Sequence, residues 1–534
     1  MNREYSLKII TELLKYGVQE FYVCAGARDI PLIETVHNIQ SKKQIVFSHF
    51  EERSAAFYAL GRIKSLNKPV AVITTSGTAV AELLPAAMEA YYSGLPLILI
   101  TADRPKSYRG TGAPQAAEQN QIFGVYVEKC FDLDAGDEFH LQNISFKKPI
   151  HVNVCFDIPL QSGLLQQINL NNFEFENVSL NENHKDHSYE LNTLKKFIDN
   201  SKNLITLVSQ LDLNNNKSLI SFLNKLNVPV YLESLSNIRE NEDLNHLKIK
   251  CPDKLWENAK KSNFQIDSIL KIGGTPTHRI WRELDESFKN INVLSINVNG
   301  FSGIPHAKNI KLSSDFILEN FNFDFAKNRS QNCSDFLKSD HVCYEKLLEL
   351  IHKYHLAEQS IHFHLSNLIK ENSHVYLGNS LPIRYWDLAA NYNSKNLKMN
   401  ASRGVNGIDG QISTFLGFAN ELSTENWGIF GDLTALYDMV GYWMLKQRTN
   451  LNANIVIINN GGGKIFNTVL KDDIALLCQN NHNLKFEHLA KFWNMEYELY
   501  FDARNIKNTP GIKIIEIIPD QNQTESFLKE FHLI

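Results

Sequence analysis

No apolar run in this 534-residue chain approaches the ~18 residues that a membrane-spanning helix needs. A basic excess is missing too. The chain has 54 Lys and Arg against 59 Asp and Glu, a net charge of −5, which argues against a protein built to neutralise phosphate backbones. Neither nucleic acid nor membrane is an expected partner. The seven cysteines, Cys24, Cys130, Cys155, Cys251, Cys333, Cys343 and Cys478, are odd in number, and none lies closer than ten residues to another. That spacing excludes a disulfide framework and a zinc ribbon. The opening Met1-Asn-Arg-Glu-Tyr-Ser-Leu-Lys8 runs straight into an amphipathic pattern and lacks the apolar core of a signal peptide. The expectation is a soluble, cytoplasmic protein of three or four domains at about 150 residues each.

What is present is a repeated alternation of strand and helix. Leu7, Ile10, Leu13 and Leu14 give a helical apolar face ahead of the short strand Phe21–Cys24. Val70–Thr74 and Leu97–Thr101 are fully apolar runs, with Ser76-Gly-Thr78 and a small-residue helix between them. Such runs alternating with helices mark a parallel sheet covered on both faces. The pattern continues through Leu204–Val208, Val228–Leu232, Ser268–Ile272 and Val293–Val298. It resumes at His374–Leu377, Trp427–Phe430, Ile455–Ile458 and Ile514–Ile518. Polar stretches at 165–190 and 321–340 read as linkers. The fold class is therefore α/β, with three consecutive doubly wound parallel-sheet domains expected at 1–175, 190–330 and 340–534.

Chemistry concentrates at strand ends. Gly431-Asp432 closes one strand and Asn459-Asn-Gly-Gly462 the next; the 25 residues from 434 to 458 allow one crossover helix and one parallel strand. The two turns are then neighbours at the carboxyl edge of one sheet, where ligands bind in such folds. An Asp carboxylate, an Asn carbonyl and a backbone carbonyl are hard oxygen ligands for Mg²⁺ with phosphate co-ligands. A helix start after Gly431 would face the same anion. Taken alone, Gly-Asp is also an ordinary turn and Asn-Asn-Gly an ordinary helix cap. The spacing resembles the thiamine-diphosphate signature, except that Leu433 stands where Gly is usual. Cofactor activation in such enzymes needs a carboxyl group against the aminopyrimidine. Glu52, in Ser48-His-Phe-Glu-Glu-Arg53 at a strand-to-helix junction, fits an apolar setting that raises its pKa. Asn400-Ala-Ser-Arg-Gly-Val-Asn-Gly-Ile-Asp-Gly410 has three glycines that permit close backbone approach, with Ile408 as an apolar wedge.

These words, with Ala25–Leu32, Thr74–Ala79, Thr101–Pro105, Gly112–Gln115, Pro149–Asn153, Gly378–Leu381, Ser402–Gly404, Gly431–Tyr437 and Asn459–Phe466, run along most of the chain. Only about 165–340 is weakly matched. Together they resemble the 2-succinyl-5-enolpyruvyl-6-hydroxy-3-cyclohexene-1-carboxylate (SEPHCHC) synthases, thiamine-diphosphate enzymes of menaquinone biosynthesis. The resemblance implies decarboxylation of 2-oxoglutarate, then 1,4-addition of the succinyl carbanion equivalent to isochorismate, giving SEPHCHC and CO₂. It implies thiamine diphosphate held by Glu52, Ile408, Gly431, Asp432, Leu433, Asn460, Gly462, Ile465 and Phe466. It implies Mg²⁺, with Mn²⁺ as a substitute, on Asp432, Asn460 and the Gly462 carbonyl.

Both substrates are multiply anionic, so a net-acidic chain must gather arginines locally. The family match assigns Arg28, Arg104, Arg279, Arg384 and Arg403 to substrate carboxylates, with Gln115 and Ser380 as polar contacts. Glu52, Arg28, Gln115, Arg384 and Arg403 are the residues it makes catalytic. Ile465, Phe466 and Val469 would form an apolar wall that excludes water. The match further implies a pyrimidine-side domain at 1–175, a central domain, and a diphosphate-side domain at 340–534. Because the cofactor bridges two chains in this superfamily, a homodimer is the minimum unit and a tetramer the other form.

Three positions depart from the family pattern. Ala27 replaces a substrate-contacting serine, His278 stands where Lys is common, and Asp29 puts a carboxylate beside the expected anion site. One lost hydrogen bond costs roughly 0.5–1.5 kcal/mol, enough to retune an acceptor. A thiamine-dependent 2-oxo-acid decarboxylase or carboligase with another acceptor is the alternative. A catalytically silent relative would lack Glu52, Asp432 or Asn460, and all are present. His352, His355, His362 and His364 straddle what reads as a surface helix start, with no acidic or Cys partner at zinc-ligand spacing.

Overall fold

A computed structural model describes residues 2–40, 46–158, 160–161, 168–169, 187–213, 216–312, 332–448, 450–468, 470 and 474–534. Within them lie three six-stranded sheets, all parallel in their registers. The first runs Val46–His49, Glu20–Cys24, Val70–Thr74, Leu97–Asp103, Ile150–Cys155, Lys129–Leu133. The third runs Lys398–Asn400, His374–Leu377, Asn426–Gly431, Ala453–Ile458, Ile512–Ile517, Glu496–Tyr500. Numbered along the chain, both have the order 2-1-3-4-6-5. The middle sheet differs: its order is 3-2-1-4-5-6, from Lys248–Ile249 at one edge to Lys308–Ile310 at the other. Its first strand ends in Ser209-Gln-Leu-Asp212, without the glycines a dinucleotide turn needs.

The physical basis is plain in the central strands. Val70–Thr74 and Leu97–Asp103 are buried at every position, as expected of strands covered by helices on both faces. Edge strands carry the charge: Lys129–Leu133 and Glu496–Tyr500 are only partly buried.

The chain packs as two compact units: Met1–Asn183 with Gly404–Asn420 and Leu436–Leu451, and His184–Arg403 with Glu421–Ala435 and Asn452–Ile534. In the first, helix Glu52–Leu66 crosses helix Gln411–Phe418 backbone to backbone. A Cβ on Gly61 would lie 2.0 Å from the Thr414 carbonyl oxygen, and one on Gly417 2.2 Å from that of Tyr58. In the second, buried polar contacts join the middle and third sheets. Asp387 accepts from the Ser234 N–H at 2.7 Å, and Arg239 donates to the Ala390 and Asn391 carbonyls at 2.9 and 2.8 Å.

The expected linkers are shorter than read. Helix Cys333–Lys353 takes up the end of 321–340, and helix Ser188–Asn200 begins inside 165–190. Among the described residues of these helices, Asp335 and Lys338 face solvent, whereas Phe336, Asp340 and Leu194 are buried. The four histidines do straddle a helix start, at Glu358, and His352 is exposed, but the start itself is buried. His362 is fully buried in Glu358–Leu368, its Nδ1 2.9 Å from the Glu358 carbonyl.

Candidate functional site

In the first unit, Arg28, Glu52 and Arg104 follow the carboxyl ends of the first sheet's strands. Glu52 opens helix Glu52–Leu66, and Glu51 caps it by accepting from the Ser54 N–H at 2.7 Å. Burial raises the Glu52 carboxyl above its ordinary pKa, against a lowering by a backbone hydrogen bond, and nearby Glu51 and Glu82 add to the rise.

Beneath it runs a buried polar chain. His49 Nδ1 accepts from the Glu51 N–H at 3.0 Å, and its Nε2 lies 3.2 Å from Ser54 Oγ. Ser54 Oγ meets Ser413 Oγ at 2.8 Å. The Ser413 N–H and hydroxyl donate to Asp438 at 2.7 and 2.9 Å. Burial lowers His49 to about 4 and raises Asp438 to about 7. Ile408 is half-buried in the glycine loop that leads into helix Gln411–Phe418. At the end of that loop Gly410, at φ +61°, leaves no room for a Cβ, which would sit 2.0 Å from the Phe57 ring. Glu89 holds the loop's start, accepting from the Gly404 and Val405 N–H groups at 2.9 Å each.

Arg28 and Arg104 are neighbours. Burial lowers the Arg28 pKa and the Arg104 charge lowers it further. Arg28 donates to the Phe156 carbonyl at 2.8 Å, and Arg104 to the Pro114 carbonyl at 2.9 and 2.7 Å. The second contact fixes the loop carrying Gln115, an exposed residue at φ +55° next to Gly77. Asp29 corrects an expectation. It does not stand beside an anion site but turns inward, fully buried, and accepts from the Gly26 N–H at 2.8 Å. Burial pushes it to about 7, and Glu52 lies close enough to add to the rise.

In the second unit, strands Asn426–Gly431 and Ala453–Ile458 pair in parallel, so the turns after them are neighbours as the spacing predicts. Asp432 is 2% exposed. Its Oδ2 accepts from the Gly461 and Gly462 N–H groups at 2.8 Å each, and its Oδ1 from the Leu433 N–H at 2.6 Å. The helix that starts there is short, Asp432–Tyr437. Gly461 and Gly462 take φ of +80° and +135°, which favours glycine. The Gly462 carbonyl accepts from the Lys464 N–H at 2.8 Å, which leaves it a second lone pair. Asn460 donates from Nδ2 to Glu358 Oε2 at 3.0 Å, while its Oδ1 is buried with no hydrogen-bond partner.

An unclaimed buried amide oxygen, a buried carboxylate and an adjacent carbonyl are the donor set a hard divalent cation takes. They fit Mg²⁺. A cavity of about 600 Å³ adjoins them, lined by Glu358, Tyr385, Asn460, Gly461, Lys464 and His482 among others. His482 Nε2 approaches Asp432 Oδ2 at 3.3 Å. Neither Glu358 nor His482 was singled out from the sequence. The only local signal for Glu358 was an acid in a helix's first turn. Burial raises its carboxyl to about 7; the Asn460 contact lowers it and Asp432 adds to the rise.

Ser380 sits at φ +73° before helix Leu381–Ala389, and its carbonyl accepts from Arg384 Nη1 at 2.6 Å. Arg403 is buried and donates to Asn379 Oδ1 at 2.9 Å, and Asn379 in turn donates to the Ser402 carbonyl. The turn after strand His374–Leu377 is thereby tied to Ser402-Arg403. Arg279 is 61% exposed and paired with Glu283 at 2.8 Å. His278 is half-buried; burial lowers its pKa, but the contact with Asp253, 3.5 Å away, outweighs that and leaves it raised. Its ring is thus engaged by Asp253 where a lysine is common in the family. Ile465 is half-buried and Phe466 38% exposed in the turn Lys464–Thr468. Val469 lies outside the described residues.

The thiamine pyrophosphate enzyme N-terminal TPP-binding domain model matches residues 5–122. A 2-succinyl-5-enolpyruvyl-6-hydroxy-3-cyclohexene-1-carboxylate synthase of Bdellovibrio bacteriovorus is 41% identical over 100% of this chain and 99% of its own. The protein of the same description from Akkermansia muciniphila is 34% identical over 95% of each chain. One from Bacillus pumilus is 28% identical over 98% of this chain and 95% of its own.

Proposed function

The chain belongs to the SEPHCHC synthase family, and from that premise we propose that it decarboxylates 2-oxoglutarate and adds the succinyl carbanion equivalent to isochorismate in menaquinone biosynthesis. The observation that carries the reading is the meeting of Asp432 with the Asn459–Gly462 turn, where the Asn460 Oδ1 is left unclaimed. Thiamine diphosphate, when bound, supplies the carbon centre at which a 2-oxo acid loses CO₂ and passes on its acyl equivalent. Asp432, Asn460 and the Gly462 carbonyl are proposed to hold Mg²⁺, or Mn²⁺ in its place, with Gly431 and Leu433 framing the diphosphate end.

The chain's own residues then have distinct tasks. Glu52, whose carboxyl burial raises above its ordinary pKa, would face the aminopyrimidine of the bound cofactor. Ile408 would pack against the bound cofactor. Arg28, Arg104, Arg279, Arg384 and Arg403, with Gln115 and Ser380, would contact the anionic substrates. Guanidinium forks suit this task because they meet a carboxylate with two parallel hydrogen bonds. Ile465, Phe466 and Val469 keep water from the reacting carbon.

We assign the pyrimidine side to 1–175, the central domain to 190–330 and the diphosphate side to 340–534. The working unit is a homodimer, or a tetramer built from it. No described helix is long and apolar enough to cross a membrane. All seven cysteines are thiols, which fits a reducing compartment, and we place the enzyme in the cytoplasm.

Purified protein given thiamine diphosphate, Mg²⁺ and 2-oxoglutarate should consume isochorismate in step with CO₂ release. Glu52→Gln should lower that rate by about 10²–10⁴-fold. Steady CO₂ release with isochorismate untouched would instead favour a carboligase with another acceptor, the reading that Ala27 motivates.

A further inference from the structure

Asn460 can serve a cation only through its oxygen, and a carboxamide can present either end. One side of this amide is already decided. Its Nδ2 donates to Glu358 Oε2 at 3.0 Å, so its Oδ1 points the other way, buried and without a hydrogen-bond partner. Glu358 is 2% exposed, and its carboxyl group accepts from the Asn460 amide. Charged or neutral, a carboxyl group keeps an oxygen that can accept this amide hydrogen.

Glu358 is itself held from two directions. It is the first residue of helix Glu358–Leu368, and its N–H donates to Thr524 Oγ1 of helix Gln521–Leu533 at 3.0 Å. Its carbonyl lies 2.9 Å from His362 Nδ1 one turn on. A buried acid so anchored, 102 residues from Asn460 in the chain, has no packing reason to be acidic. A leucine would fill the space without needing a polar partner.

We propose that Glu358 is the positioning residue of the cation site: it pins the Asn460 amide so that Oδ1, not Nδ2, faces Asp432 and the bound metal. This rests on the assignment of Asp432 and Asn460 as ligands and extends it to the residue that orients one of them. Outer partners of this kind typically tune metal affinity by 10–100-fold.

The test is Mn²⁺ titration of the full-length protein with thiamine diphosphate present, read by the electron paramagnetic resonance signal of unbound Mn²⁺. Glu358→Leu should weaken Mn²⁺ binding about 10–100-fold. Glu358→Gln, which keeps an acceptor oxygen and the packing, should stay several-fold closer to wild type and covers the case in which the leucine variant fails to fold. In an Asn460→Asp background either side-chain end is an oxygen, so the Glu358→Leu penalty should vanish or reverse. A penalty that persists undiminished there, or wild-type Mn²⁺ affinity in Glu358→Leu, overturns the proposal and leaves the ligand assignment standing. Mn²⁺ binding unaffected by Asp432→Ala would overturn both.

Discussion

Asp438 is fully buried, and both its carboxylate oxygens accept from Ser413. Burial raises it from 3.8 to about 7, so between those values the folded chain keeps a proton that the unfolded chain has lost. The stability this group contributes is complete below about pH 4. It falls as pH rises and is gone above about pH 7, at no more than about 1.4 kcal/mol per pH unit. Asp438→Asn cannot titrate, so its stability should gain on wild type across that interval in urea unfolding at a series of pH values. Parallel profiles would show that Asp438 does not carry the proton. Residues of this kind were hard to see in the sequence. Asp432 and Asn460 stood out because a fixed spacing places them on adjacent parallel strands. Glu358 and the chain from His49 to Asp438 did not, since each depends on partners far along the sequence that no local period reports. Asp29 was misjudged for a related reason. Sequence order put it beside Arg28, while the turn after Glu20–Cys24 sends the two side chains opposite ways, one into the core and one to the Phe156 carbonyl.

At the scale of elements, the crossing of Glu52–Leu66 and Gln411–Phe418 is a tight backbone-to-backbone constraint in the first unit. Its two glycines are needed because each helix fills the space where the other's Cβ would stand. Gly417→Ala should therefore destabilise the protein by about 1–3 kcal/mol or more, the range for overpacked interiors, seen as a lower urea midpoint with an unchanged slope. Gly17, around which nothing would meet a Cβ but whose φ is +83°, provides a control in which strain acts without crowding. The buried strands were legible as unbroken apolar runs. Lys129–Leu133, Lys308–Ile310 and Glu496–Tyr500 were not, because an edge strand with one solvated side has no apolar run to show.

For the whole molecule, three parallel sheets in succession were readable, but the composition of the compact units was not. Pattern reading cuts a chain where it turns polar. Packing joins Gly404–Asn420 and Leu436–Leu451 to the N-terminal sheet across more than two hundred intervening residues. A fragment ending at residue 183 should accordingly bind a hydrophobic dye and unfold without a cooperative transition, measured by dye fluorescence and circular dichroism. A sharp transition would show that the N-terminal stretch is self-sufficient.

The same arrangement imposes a schedule on the living chain. Helix Glu52–Leu66 is made early, but the helix that covers it, Gln411–Phe418, follows more than three hundred residues later. At 5–20 residues per second that gap lasts roughly 15–70 s. For that time the ribosome carries a finished helix whose small-residue face has nothing to lie against. That face can be covered only after residue 418 has emerged.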